Sequence, residues 1–178
     1  TKQGGAVLNM FYSSPVAEAV LSPEQAVQYA KDFLSGLNMG TFKDSYWTML
    51  DNSIIVNFAY ADGDVLCYPD LVKVTVSLSD GAIIGYEATG YVMNHIEREI
   101  AEPKISEEEA VSKVSPYLTV LSHQLCIIPS AGKYEVFCHE FKCENSDGEH
   151  YIVYVNAETG VEENILILIE DENGTLTL

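Results

Sequence analysis

A chain of 178 residues, 47% of them hydrophobic, is long enough to bury a core in one or two domains. Lys and Arg number 9 against 27 Asp and Glu, for a formal charge of -18; nucleic acid and anionic membrane surfaces would be repelled over roughly 8 Å at physiological salt, with no basic stripe to offset it. No apolar run approaches the ~20 residues that cross a bilayer as a helix, and the longest, Ile165 to Ile169, is of strand length.

Residues 1–20 read as the residual strand of a preceding module, with Gly5 to Tyr12 as the strand itself, pairing with an exposed sheet edge. Without an initiator Met or a signal-peptide pattern, the chain reads as an excised piece of a longer protein. A helix is then announced by Ser22 as N-cap, Pro23 at the first helical position, Gln25 closing a capping box and Leu21 stapling onto Ala26. Ala26, Val27, Ala30, Phe33, Leu34 and Leu37 form one apolar stripe at helical spacing, with Gly36 and Gly40 at the exit.

Five strand-like segments follow: Ser45 to Leu50, Ile54 to Tyr60, Val65 to Tyr68, Leu71 to Leu78 and Ile83 to Thr89. In the fourth, Val72, Val74, Val76 and Leu78 alternate with polar residues, the period of a strand with one wet face. Asp51-Asn52 and Asp62-Gly63 supply turns, and Asp80-Gly81 predicts a type I′ hairpin. Gly90 to Glu102 is polar and acidic after Met93. Residues 97–104 read as a linker, with a helical turn expected through His95, Ile96 and Glu99.

The helix grammar then recurs. Leu21-Ser22-Pro23-Glu24-Gln25-Ala26-Val27 is matched by Ile105-Ser106-Glu107-Glu108-Glu109-Ala110-Val111, with Ser106 as cap and Glu109 closing the box. Pro116 predicts a shorter helix, and the three acids of its first turn suit the positive end of the helix dipole. Strands are expected over Val120 to Ile128, Tyr134 to Lys142, Tyr151 to Asn156 and Val161 to Ile169, with turns at Asp147-Gly148 and Thr159-Gly160. A last hairpin over Ile165 to Glu170 and Thr175 to Leu178 would cover a sheet edge of the second module or reach the first. The expectation is an α+β chain of two tandem modules, each an antiparallel sheet packed on one helix: residues 21–96, the linker 97–104, and residues 105–178.

Chemistry is sparse. Cys138-His139-Glu140 sets His139 on the opposite strand face from Cys138 and Glu140, which opposes a thiol-imidazole dyad. Cys138, His139, Cys143 and His150 are the one cluster of soft metal-ligand types, but a single Cys pair lacks the second pair a structural zinc site wants. Cys67, Cys126 and Cys138 lie in apolar β-prone stretches and read as small hydrophobes; full oxidation would leave three pairings open among the four cysteines. Asp62-Gly63-Asp64 and Asp171-Glu172-Asn173-Gly174 fall at turns and lack a twelve-residue calcium loop. Asn173-Gly174-Thr175 matches a glycosylation sequon already explained by its turn. Tyr46, Trp47, Phe58, Tyr60 and Tyr68 are contact residues if exposed on one face and core bulk if not. No catalytic, cofactor-binding or metal-binding residue is assigned, and no cofactor is implied.

The strings Tyr68-Pro69-Asp70-Leu71-Val72-Lys73-Val74-Thr75-Val76, Gly85-Tyr86-Glu87-Ala88 and Tyr91-Val92-Met93-Asn94-His95 resemble the C-terminal tandem PepSY region of the spore-germination YpeB family. So do Val155-Asn156-Ala157-Glu158-Thr159-Gly160 and the tail from Glu170 to Leu178. The resemblance covers nearly the whole chain from Leu21 onward. It implies a non-enzymatic accessory protein of endospore formers, held by an N-terminal membrane anchor absent from this sequence and placed on the cortex side of the spore inner membrane. It implies as partner a cortex-lytic cell-wall hydrolase of the SleB type, bound and stabilised or inhibited until germination. The other readings are a PepSY-type inhibitor of a secreted peptidase and a module that binds peptidoglycan.

Overall fold

The computed structural model describes residues 4–13, 17–130, 132, 134–171 and 173–177. Its elements are β1 (Asn9–Phe11), α1 (Pro23–Gly36), β2 (Phe42–Leu50), β3 (Ser53–Asp62), β4 (Val65–Ser77), β5 (Ile83–Glu87), α2 (Thr89–Asn94), α3 (Glu107–Val111), β6 (Thr119–Pro129), β7 (Glu135–Glu144), β8 (His150–Asn156), β9 (Glu162–Asp171) and β10 (Gly174–Thr177). Glu172 of the acidic turn, Leu178 of the last expected strand, and Thr1, Lys2, Gln3, Ser14, Pro15 and Val16 of the first segment lie outside the described residues.

The expected pair of sheet-plus-helix modules is overturned by the strand pairing. Hydrogen-bonded neighbours run β1-β5-β4-β3-β2-β10-β9-β8-β7-β6 in one order, not two, and β4 also pairs with β6. Strand takes 49% of the described residues and helix 15%. Alternating strands specify which side chains share a face but not which strand is the neighbour, and here β10 joins β2 to β9.

By proximity the chain forms two units, one from the described residues of Thr1–Asp62, Pro69–His95 and Glu172–Gly174, the other from those of Gly63–Tyr68, Ile96–Asp171 and Thr175–Leu178. In the first, the apolar stripe of α1 buries Ala26, Ala30 and Leu34 against Ile54, Val56 and Phe58 of β3 and Val72, Val74 and Val76 of β4. The Ser22 capping box forms as expected, with Ser22 accepting from the Gln25 amide and Gln25 from the Ser22 amide. In the second, Ala110 and Val114 pack on Phe141 and Cys143 of β7 and Val153 and Val155 of β8. The Ser106–Glu109 box forms there too, and the helix ends before Pro116. Arg98, the only arginine, is 6% exposed at its side chain and grips Glu135 with Nε and a terminal nitrogen at 2.9 and 2.7 Å.

The sequence repeat is also a repeat of backbone bonding. The Leu78 carbonyl accepts from the amides of Val20 and Leu21, and the Ala157 carbonyl accepts from Lys104 and Ile105, just ahead of each capped helix. Each carbonyl sits in the same kind of turn: Ser77 N–H reaches Ala82 O and Gly81 N–H reaches Ser77 O, as Asn156 reaches Val161 and Gly160 reaches Asn156. This replaces the type I′ turn expected at Asp80-Gly81. Only Gly81 takes positive φ there, so the four-residue connection Leu78–Gly81 needs one left-handed position, not two.

Two local expectations are also corrected. Val65 to Ser77 is one strand, not two, and it runs through Pro69. Beyond β3, β4 pairs with β6 at Val65–Cys67 and with β5 at Lys73–Val76, so Pro69 falls between these two paired stretches. The helical turn comes earlier than expected, at Thr89–Asn94, because Gly90 lets α2 lie against the β4 backbone, where any Cβ would stand 2.7 Å from the Leu71 carbonyl oxygen. Asn94 Nδ2 completes the contact by donating to the Pro69 carbonyl at 2.9 Å.

Candidate functional site

Strand alternation sorts the residues singled out for chemistry. In the second unit Cys138 lies opposite Cys126, and Glu140 lies opposite Gln124 on one side and Tyr154 on the other. His139 points to the other face, where it bonds to the Ile105 carbonyl and to His123. Cys138 and Glu140 therefore share a face and the imidazole does not. Cys143 is buried against α3, and His150 is tied to Glu170 and lies 3.9 Å from Glu144. The four soft-ligand residues are not brought together, and no group of three His, Cys, Asp or Glu among the described residues is placed to hold a metal ion.

The face carrying Glu140 holds a polar cluster that reading by motif missed. Tyr68, Tyr154 and Cys126 donate hydrogen bonds to the Glu140 carboxyl, yet burial outweighs them and pushes that carboxyl up from the usual range. Among the described residues, Glu140 Oε2 and the neighbouring Gln124 Nε2 have no hydrogen-bond partner. Tyr68 is pushed upward by burial first and by the Glu140 charge second. Burial likewise drives the Cys138 thiol up to about 12 and raises the Cys126 thiol well above its ordinary value, with Glu140 and Cys138 contributing to the latter. A thiol held protonated is a poor nucleophile and a poor metal ligand, so the cluster stores desolvated polar groups and offers no reactive sulfur near neutral pH. A Glu and a Tyr at inward strand positions were the available signal, and without the partner strands their positions could not be called inward.

In the first unit, Asp70 of β4 and His95 at the end of α2 meet at 2.6 Å between Oδ2 and Nδ1. Asp70 is fully buried, His95 is stacked on Tyr91 at 4.4 Å, and the Tyr60 ring meets it edge-on at 4.6 Å. The Tyr91 hydroxyl donates to the Met39 carbonyl, fixing the ring that carries the imidazole. The sequence strings around Asp70 and His95 are thus one structural lock. The other aromatics singled out do not form a shared exposed face: Phe58 is core, Trp47 packs on that core, Tyr46 is half-buried, and Tyr68 belongs to the Glu140 cluster. Of the acidic turns, the first has Gly63 at φ 59°, and at the second Gly174 pairs with Thr48 of β2.

Two apolar surfaces remain open. β1 ends the strand order, pairs only with β5 among the described strands, and exposes Met10 and Phe11, the latter at 82%, with Val7 and Tyr12 exposed just outside it. Along β9, Ile165, Ile167 and Ile169 are exposed on one face at alternate positions. A pocket of about 320 Å³ beside α1 is lined by Lys31, Leu34, Gly40, Thr41, Phe42 and Phe58, with Lys31 held by Asp44 at 2.8 Å.

The family model described as YpeB sporulation, PepSY1 and PepSY2 domains matches residues 1–101, so the second copy of the repeat lies beyond the match. Sporulation protein YpeB of Halalkalibacterium halodurans is 33% identical over 172 residues, 97% of this chain and 38% of that protein. The protein of the same name from Oceanobacillus iheyensis is 35% identical over 164 residues, 90% of this chain and 36% of its own, and that of Bacillus subtilis 26% identical over 167 residues, 93% and 37%. The chain therefore spans less than two-fifths of the length of the curated relatives it matches. The solved Bacillus megaterium YpeB C-terminal domain superposes with a TM-score of 0.85 at 30% identity, covering 95% of this chain and 75% of that one.

Proposed function

Because the chain belongs to the YpeB family of sporulation proteins, we propose that it is a non-catalytic accessory module that binds a cortex-lytic cell-wall hydrolase of the SleB type and stabilises or inhibits it until germination. The observation that carries the reading within this chain is the β1 edge, a three-residue strand with one side open among the described strands, with Met10 and Phe11 exposed in it and Val7 and Tyr12 exposed beside it. Such an edge accepts a partner strand through backbone hydrogen bonds, with flanking side chains supplying the apolar contact. A stable contact needs about 1,000 Å² of buried surface, more than three residues supply, so the surface around β1 takes part. With a charge of -18, the module favours a basic partner surface and binding that weakens as salt is raised. The reading places the module outside the cytoplasm, on the cortex side of the spore inner membrane.

Calorimetric titration of the chain into purified hydrolase, with activity on cortex fragments followed in parallel, tests the proposal. Saturable binding with reduced activity supports inhibition, and binding that only lengthens the enzyme's lifetime supports stabilisation. Phe11→Asp is expected to weaken either by about tenfold or more, as loss of a central aromatic contact does. No binding by the folded chain would overturn the proposal for this module. Sedimentation with peptidoglycan and a secreted-protease panel would then separate the wall-binding and peptidase-inhibitor readings.

A further inference from the structure

Two histidines lie in series between two oxygen acceptors at the start of α3. His139, on β7 and 1% exposed, places Nε2 at 2.8 Å from the Ile105 carbonyl and Nδ1 at 2.9 Å from His123 Nε2. His123, on the neighbouring strand β6, places its own Nδ1 at 3.1 Å from Glu107 Oε2. The two rings stack with centroids 5.1 Å apart, and Phe141 lies against both. Ile105 immediately precedes the cap Ser106, and Glu107 is the first residue of α3, so both ends of the series are anchors of that helix.

The protons can be counted. Three gaps at hydrogen-bond distance need three ring N–H groups, because a carbonyl and an ionised carboxylate only accept. Two neutral imidazoles bring two. A singly charged pair brings three and closes every gap: His123 donates to Glu107 and to His139, and His139 donates to Ile105. A doubly charged pair brings four and sets one N–H against another across the 2.9 Å gap.

We propose that His123 and His139 form a one-proton site that anchors the first turn of α3, and that a second proton releases it. Among the described residues, the titratable groups facing His123 are Glu107 from α3 and His139 from β7; Ile105 contributes only its carbonyl and Phe141 its ring. Burial holds the His123 imidazole below its ordinary range, Glu107 opposes that, and His139 adds to it. When both rings are neutral the unmade bond falls at Glu107, whose side chain is 60% exposed and can turn to water. The unfolded chain takes a proton on each histidine as pH falls through about 6.5, whereas the folded pair takes at most one. The unfolded state then binds more protons, so folded stability is lost as pH falls below that range, by about tenfold in the unfolding constant per pH unit for each proton of difference.

Proton NMR titration of the ring C–H signals in the full chain tests this, comparing Glu107→Gln with Glu108→Gln. Both remove one exposed acid from the first turn of α3. The side-chain amide that Glu107→Gln introduces can also donate to His123 Nδ1, which closes all three gaps with both rings neutral. In the unsubstituted chain the two rings should move together in a first step, and the second step should coincide with loss of amide protection in α3. Glu107→Gln should lower the first step by on the order of one pH unit, and Glu108→Gln should shift it far less. Equal shifts in the two variants, or two independent steps near pH 6.5 with α3 still protected, would overturn the proposal.

Discussion

The imidazole of His95 and the carboxylate of Asp70, 25 residues apart in the chain, meet at 2.6 Å with Asp70 fully buried. Removing Nδ1 of His95 takes a donor from a desolvated carboxylate. His95→Ala should therefore cost about 2–3 kcal/mol in urea unfolding at pH 7. In a double-mutant cycle with Asp70→Asn the two losses should fall short of additive, because the asparagine no longer carries the charge that His95 meets.

Glu140 makes a pH-dependent prediction of opposite sign to most carboxylates. Its folded-state pKa is raised by burial, so the unfolded chain ionises more readily and stability falls as pH rises above the ordinary Glu range. Glu140→Gln should stabilise the fold at pH 7 by about 1 kcal/mol, and the gain should vanish near pH 4. Urea midpoints of both proteins across that interval decide it.

Two glycines in helices should respond in opposite directions to alanine. Gly36, the last residue of α1, has open space where a Cβ would stand, so Gly36→Ala should stabilise by about 0.5–1 kcal/mol. Gly90 in α2 faces the backbone of Leu71 and Pro69 with no side chain free to give way, so Gly90→Ala should lose about 1–3 kcal/mol despite the better helix propensity. Thermal unfolding of the pair separates the local preference from the tertiary contact.

All four cysteines are free and buried. A small disulfide reagent at pH 8 should label Cys126 and Cys138 only as fast as the chain opens, since burial holds both thiols protonated and the Cys138 thiol is pushed up to about 12. All four should react at once in urea. Rapid labelling of either residue in the native protein would contradict the burial of the Glu140 face.

Ser22 and Ser106 hold equivalent capping boxes, so Ser22→Ala and Ser106→Ala should each cost about 1 kcal/mol. Amide exchange should report the loss in the first turn of the helix concerned. The Ser106 variant should also disturb His139, because the Ile105 carbonyl that His139 holds is the residue before that cap.

The residues alone determined whatever is decided within a few positions along the chain. The start of each helix follows from Ser22 and Gln25, or Ser106 and Glu109, three residues apart, whereas α3 ends at Val111, earlier than the stop expected near Pro116. The separation of His139 from Cys138 and Glu140 follows from a strand's two-residue period. Only the tertiary structure decided which strands are neighbours: β6 on β4, β10 beside β2, and one continuous β4 where two strands, Val65 to Tyr68 and Leu71 to Leu78, were expected. It alone joined Asp70 to His95, His123 to His139, and Tyr68 to Glu140. The physical reason is that alternation repeats in almost every strand of this chain and so marks a face without naming a partner. A polar residue's burial and protonation are set by the partner opposite it, which can lie many residues away.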